Sequence, residues 1–233
     1  MSFARRPSSQ RKPDAPAQAA ARSPRLQPMP KAERRAQLLG LACEIIEREG
    51  IAALTMSALA ERAGASKPVV YDHFENSESV AAELIVEYFE NLVQYVYTRL
   101  SSADDIVSYF DMAIDAYFDF KSAHPIPVRH ITNGFSSTSL VNQIYLSQQA
   151  RVIEVYQGLM EQQGASETAS RVAAYALKEM INAAVFEFAS PQTPPAVRAT
   201  LKQMVRGAVQ AIVPEGGPKP VTPPSILRAP ETQ

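Results

Sequence analysis

An all-α fold is predicted for the central part of this chain, and three observations carry it. Apolar residues recur at i, i+3, i+4 and i+7 through one segment after another, the spacing that lines one face of a helix. Alternation of apolar and polar residues, the mark of a half-buried strand, never lasts beyond a few positions. Prolines crowd into the two ends and elsewhere sit mostly where one periodic segment gives way to the next.

The first helix is predicted over residues 31–49, with Leu38, Leu41, Ala42, Ile45 and Ile46 along one side and Gly50 as an αL cap. A short second helix follows. Thr55 is a good N-cap, Leu54 and Leu59 fall at the two positions of a hydrophobic staple, and Gly64 ends the segment. Ser66 caps a third helix, which tolerates Pro68 because it lies in the first turn. A fourth opens at Asn76 or Ser77 and reaches about residue 100, burying Ile85, Phe89, Leu92, Val96 and Leu100. Ile106, Tyr109, Phe110, Ala113, Tyr117 and Phe120 mark a fifth that ends before Pro125. After a bent segment with Pro125, Pro127 and Gly134, helices are expected over roughly 139–163, 166–189 and 194–213. The last of these opens on Pro194 and Pro195.

Residues 31–78 thus form a small helical head, with the helix–turn–helix at about 54–73, and residues 79–213 form an all-α body. Residues 1–30, rich in Pro, Ala, Ser and Arg, and the Pro-rich residues 214–233 show no periodicity and are predicted to be disordered tails.

Charge is unevenly spread. In residues 1–30 six basic side chains face only Asp14, a net of +5, whereas residues 79–213 carry nine basic and thirteen acidic side chains, a net of −4. A basic end on an acidic body is the asymmetry expected when one end meets a polyanion. Cys43 is the single cysteine, which excludes an internal disulfide and a Cys-rich metal site; its neighbours Leu41, Ala42, Ile45 and Ile46 suggest a buried thiol. No apolar run approaches the ~18 residues of a membrane span. The N-terminal arginines precede no apolar segment of the kind a secretory signal needs. A cytoplasmic protein without membrane contact is the expectation.

Function is written most clearly in ERAGASKPVVYDHF, residues 61–74. Helix, tight turn with glycine, helix is the layout whose second helix lies in the DNA major groove. In that second helix Val70 and Phe74 are one turn apart and face the first two helices, leaving Lys67, Pro68, Val69, Tyr71, Asp72 and His73 toward the groove or its walls. Lys67 can donate to guanine O6/N7 or to a phosphate, Pro68 and Val69 can touch a thymine methyl, and Asp72 can accept from cytosine N4. Tyr71 and His73 can donate to phosphate oxygens, while Thr55 and Ser57 add backbone N–H and hydroxyl contacts, beside Ser66 at the start of the reading helix.

Residues 31–78 resemble the DNA-binding domain of the TetR family of bacterial transcriptional regulators, and the matching run is LTMSALAERAGASKPVVYDHFENSESV. It follows the family's Leu-Thr, Ala, Gly, Ser, hydrophobic-Tyr, His-Phe pattern and the acidic start of the fourth helix. The resemblance covers about a fifth of the chain. It implies a homodimer on a roughly palindromic double-stranded DNA operator, usually a repressor released by a small ligand. Two departures stand out. Ser77 occupies a position where the family commonly has lysine, so a hydroxyl and a helix N-terminus must hold that phosphate. Asp72 and Glu75 place negative charge beside the groove in a head of net charge −2, and the basic tail could supply attraction as an arm.

The predicted helix at 166–189 is apolar most of the way round, with a narrow polar strip through Arg171, Lys178, Glu179 and Asn182. Such a helix must be buried on two sides. One side is its own core; the other, through Ala173, Ala176, Met180 and Ala184, suits a second copy. With Leu201, Met204 and Ala208 of the last helix it would form an isologous four-helix interface. The family resemblance places an effector inside the body, where Tyr88, Tyr109, Phe110, Tyr117, His130, Tyr145 and Tyr156 offer an aromatic lining for a hydrophobic or aromatic molecule.

Other classes find less support. No phosphate-cradling glycine loop, no G-x-S-x-G and no His-rich metal pattern occurs, so neither an enzyme nor a cofactor or metal is expected. The alternative is a helical protein-docking module whose acidic head has lost DNA affinity.

Overall fold

The computed structural model describes residues 29–100, 103–124 and 126–214. The expectations for residues 1–28 and 215–233, and for Pro125 in the bend, lie outside the described residues.

The first helix, α1 (Lys31–Glu49), buries Leu38, Leu39, Ala42, Ile45 and Ile46, so its apolar stripe meets the core. Gly50 closes it by donating its N–H to Ile46 O at 3.0 Å, but with φ +85° and ψ 167° rather than in the expected αL conformation. That region is open chiefly to glycine, and it swings the chain into a single 3₁₀ turn at Ile51–Ala53 that periodicity did not announce. Next comes α2 (Met56–Arg62), where Thr55 Oγ1 accepts from Ala58 N at 3.1 Å and both staple leucines, Leu54 and Leu59, are buried. Gly64, at φ +60°, makes the turn into α3 (Lys67–Tyr71). Ser66 stands at the N-cap of α3, yet its hydroxyl makes no capping bond. A cap serves the N–H groups two and three residues on, and Pro68 has removed one of them.

The choice between Asn76 and Ser77 as the opening of α4 (Ser77–Leu100) falls to Asn76. Its Oδ1 accepts from Ser79 N at 2.9 Å while Ser79 Oγ accepts from Asn76 N at 3.2 Å, a reciprocal capping box. Asp105 caps α5 (Ile106–Ala123) by accepting from Val107 N and Ser108 N, both at 2.8 Å. The expected bend contains a short helix, α6 (Val128–Asn133), started by Pro127. Ser139 and Ser166 cap α7 (Leu140–Gln162) and α8 (Glu167–Phe188), and Pro194 and Pro195 open α9 (Pro195–Ile212).

Two buried clusters organise these helices. One joins α1, α2, α3 and the first half of α4 to Phe120, Val128, Ile131 and Val141. The other gathers Leu100 with the inner faces of α5, α7, α8 and α9. Because α4 serves both, packing does not pause at residue 78. Register between α5 and α9 is fixed by charge: Asp111, Asp115 and Asp119, four residues apart, face Arg206, Lys202 and Arg198, also four apart. The pairs run antiparallel at 2.8 Å (Asp111–Arg206), 2.5 Å (Asp115–Lys202) and 2.7 Å (Asp119–Arg198).

A second junction between head and body lies at Gly134. A methyl group there would sit 2.2 Å from Ile51 Cγ2 in the 3₁₀ turn, although the residue's φ of −82° would suit any amino acid. Glycine is needed for approach, not for conformation. Gly134→Ala is therefore expected to lower stability by about 1–3 kcal/mol, as overpacked cores do, and adding Ile51→Ala should recover most of it. Chemical denaturation of the single and double variants checks this; additive losses would mean that the two residues do not press on each other.

Candidate nucleic-acid interface and interior cavity

The surface of the head is built around α3. Val70 is fully buried and Phe74 nearly so, which holds the helix by its back edge. Outward are Lys67, Pro68 and Asp72, with Tyr71 54% exposed, while Val69 and His73 are half-buried. Thr55, Ser57 and Ser66 are exposed at the starts of α2 and α3, and Ser77 is half-buried at the start of α4. The head therefore brings Ser66, Lys67, Pro68, Tyr71 and Asp72 out to solvent as one row, with Thr55 and Ser57 at its flank.

Sequence reading missed how α1 and α4 support this row. Arg35 makes a two-pronged ion pair with Glu83 of α4, donates Nη1 to the His73 carbonyl at 2.5 Å, and lies 4.4 Å over the Phe74 ring. One guanidinium thus joins three helices just where α3 ends. A shallow groove beside it is lined by Met29, Lys31, Arg34, Val69, Asp72 and His73, so α1 adds cations next to the acidic Asp72. Burial, helped by the positive charge of Lys31 and Arg35, lowers the His73 pKa below its ordinary value. Its Nδ1 is buried and has no hydrogen-bond partner, which leaves Nε2 as the nitrogen able to reach a ligand.

The body contains a cavity of about 90 Å³ between α4, α5, α7 and α8. Three of the expected aromatics line it, Tyr109, Tyr117 and Tyr156; four do not. Tyr88 and Phe110 are core residues: Tyr88 packs edge-on against Phe89 and Phe120, and Phe110 against Tyr109 and Tyr156. Tyr145 borders a separate surface groove with Arg129 and Asn142, and His130 is exposed on α6. Burial raises the pKa of Tyr109, Tyr117 and Tyr156, so these phenols stay protonated throughout the neutral range. Tyr88 Oη, near Tyr117, makes no hydrogen bond of normal geometry and is held neutral for the same reason.

The polar lining was not foreseen. It consists of Gln149, Lys178 and Asn182, and two of these belong to the strip of α8 that the sequence presents as its polar edge. That strip turns partly inward. In exchange, Val172, Ala176 and Ala183 are exposed along another face. The signal available in the sequence was one lysine among apolar residues at core spacing. On the outward face Ala176 and Met204 are exposed, Met204 at 54%, Ala173, Met180, Ala184 and Ala208 are half-buried, and Leu201 is buried beneath them. The groove between α8 and α9 is lined by Met180, Ala184, Phe188, Leu201 and Met204.

Cys43 is half-buried rather than enclosed, and burial together with Glu47 pushes its thiol up to about 11, so it is no nucleophile at neutral pH. Among the described residues no cluster of three metal-ligating side chains occurs, and no helix is long and apolar enough to cross a membrane.

Residues 38–84, which span α2, α3 and the capping box of α4, match the model of the bacterial regulatory proteins, tetR family. The head is thus similar to the DNA-binding domain of the TetR family. Over 92 residues it is 37% identical to the HTH-type transcriptional activator FasR of Mycolicibacterium smegmatis, a stretch that takes in 40% of this chain and only 42% of that relative. Beyond the head, likeness is one of shape. A TetR-family transcriptional regulator from Streptomyces coelicolor superposes with a TM-score of 0.66 at 16% identity, covering 78% of this chain and 97% of the other. The fatty acid degradation regulator FadR from Bacillus halodurans gives 0.57 at 17% identity, covering 83% and 100%. The likeness of the head is thus visible in sequence, and that of the body in the course of the backbone alone.

Proposed function

We propose that this chain is a TetR-family, DNA-binding transcriptional regulator. It acts as a homodimer on a roughly palindromic operator and is released as a repressor when a small apolar or aromatic effector enters the body. The head, residues 31–78, reads DNA; residues 79–213 bind the effector and pair the two copies. One observation carries the reading: α3 is pinned from behind by Val70 and Phe74 while Lys67, Pro68, Tyr71 and Asp72 stand in solvent. A helix held that way can enter a major groove without losing its core.

Lys67 donates to a guanine edge or a phosphate, Pro68 and Val69 meet a thymine methyl, and Asp72 accepts from cytosine. Thr55, Ser57, Ser66, Tyr71, His73 and Ser77 hold the backbone, with Lys31 offsetting the acidic charge of the head. The basic residues 1–30 add phosphate contact as an arm. Two heads meet successive grooves about 34 Å apart when the α8–α9 faces of two copies pair. An effector in the cavity shifts that spacing because it binds the two arrangements unequally.

Selection of bound genomic fragments supplies the operator. On that site Lys67→Ala should weaken binding by about 1–3 kcal/mol and relax preference at one position; unchanged affinity and preference would remove Lys67 from the interface. Binding must also fall steeply as salt rises. A flat response would favour the protein-docking alternative. The Mycolicibacterium smegmatis relative is an activator, so the sign of regulation is read from a reporter driven by the recovered site.

A further inference from the structure

We propose that the body cavity is a site for a small carboxylic acid, its apolar part lying among Phe89, Leu92, Val96 and Val152 and its carboxylate at Gln149 and Lys178. This deepens the effector reading and rests on it.

Three observations converge. The first is the imbalance of polar groups. Asn182 donates Nδ2 to Gln149 Oε1 at 2.9 Å, which fixes the Gln149 amide and turns its own N–H₂, in a side chain more than nine-tenths buried, into an uncommitted donor. Tyr109 and Tyr156 hydroxyls make no hydrogen bond to any described residue, and burial keeps both protonated. The phenols and the Asn182 amide oxygen can accept as well, but the lining holds an ammonium, that of Lys178, and no carboxylate. A cavity with a cation, an amide donor and rotatable hydroxyls, and no anion of its own, is complementary to a group that only accepts.

The second is the state of Lys178. Its side chain is 9% exposed, yet its ammonium is neutralised by Glu179 at 2.7 Å, a residue 70% exposed and adjacent on the same helix. Neighbours on a helix do not face each other, so Glu179 reaches round to a lysine whose side chain also lines the cavity. A carboxylate arriving from the cavity side replaces it and returns Glu179 to water. The exchange keeps one ion pair on the lysine, so the buried charge is never left alone.

The third is size. At about 90 Å³ the cavity is well below the ~300–1,000 Å³ of sites for drug-sized ligands. It is nearer the cavity of ~150 Å³ that holds a benzene. A single ring or a short chain suits it.

The test is calorimetric titration of the full chain with benzoate and its neutral twin benzamide, and with indole as an uncharged ring. The acid is expected to bind at least about tenfold tighter than the amide, as a charge-assisted contact in a buried site does. Lys178→Met keeps the apolar stem and should abolish that preference, so that acid and amide bind equally. Glu179→Gln, at an exposed position that folding tolerates, should enlarge the preference by removing the competing carboxylate. Equal binding of acid and amide to the parent, or an acid preference that neither variant alters, overturns the proposal. Should indole alone bind, and Val152→Phe abolish it, the cavity remains an effector site but a neutral one. Should none of the three probes bind, the acid proposal and the effector reading of this cavity fall together.

Discussion

Met204→Arg is expected to convert the proposed dimer into monomers and to lower operator affinity by about 10²–10⁴-fold. The side chain is half-exposed on α9, at the centre of an outward face that continues through Ala176, Met180 and Ala184 of α8. In an isologous pair each substitution enters the interface twice, so two guanidinium groups are brought into a largely apolar seam whose groove carries one carboxylate, Glu187, already beside Arg129. Leu201, Val205 and Val209, which hold α9 to its own body, point the other way and are buried, so the monomer should keep its helical content. The loss on DNA follows from valence. Two linked heads make the second contact intramolecular, and a monomer forfeits that gain without changing a single base contact. Sedimentation velocity gives the oligomeric state, circular dichroism the fold, and a binding titration the affinity. A variant that stays dimeric would move the pairing surface away from this face.

Phe74→Ala should destabilise the protein by about 3–5 kcal/mol, the range for deleting a buried phenyl group. Phe74 is 3% exposed at the end of α3, where it belongs to the cluster that joins α1, α2 and α4. Its removal leaves a cavity under the reading helix and takes away the surface on which the Arg35 guanidinium rests, 4.4 Å from the ring centre. Arg35 then still pairs with Glu83 but no longer braces the His73 carbonyl from a fixed position. Operator binding should suffer beyond the stability loss, because α3 must be rigid to keep its contacts in register. Phe74→Leu, which refills most of the volume, should recover much of the stability. Urea denaturation and operator titration at a temperature where both variants are folded separate the two effects. Full DNA affinity in folded Phe74→Ala would show that the brace is not required.

The elements of this protein were legible because each is announced locally. The staple pair Leu54 and Leu59, the turn at Gly64 and the alternation of buried Val70 and Phe74 with exposed Lys67, Tyr71 and Asp72 all lie within one short run. A motif of that kind depends on spacing along the chain. The same holds for the helices of the body, whose stripes and capping serines mark their limits. Where a signal was missing, a proline or glycine had already been read as a bend, and the short α6 was passed over because a single turn has no period to detect.

What the chain alone determined is the helical content, the helix–turn–helix and which residues are too apolar to remain in water. What only the tertiary structure decided is direction around each helix. On α8, periodicity says that two sides are apolar but not which one stays open to solvent or that the polar edge carrying Lys178 and Asn182 turns toward a cavity. Phe110 and Tyr109 are adjacent aromatics on one helix, yet only Tyr109 reaches that space. The brace from Arg35 joins residues 48 positions apart, and Gly134 is small for the sake of Ile51. Contacts of this sort depend on how helices pack against one another. That packing is a property of volumes brought together across the fold, which no stretch of sequence expresses by itself.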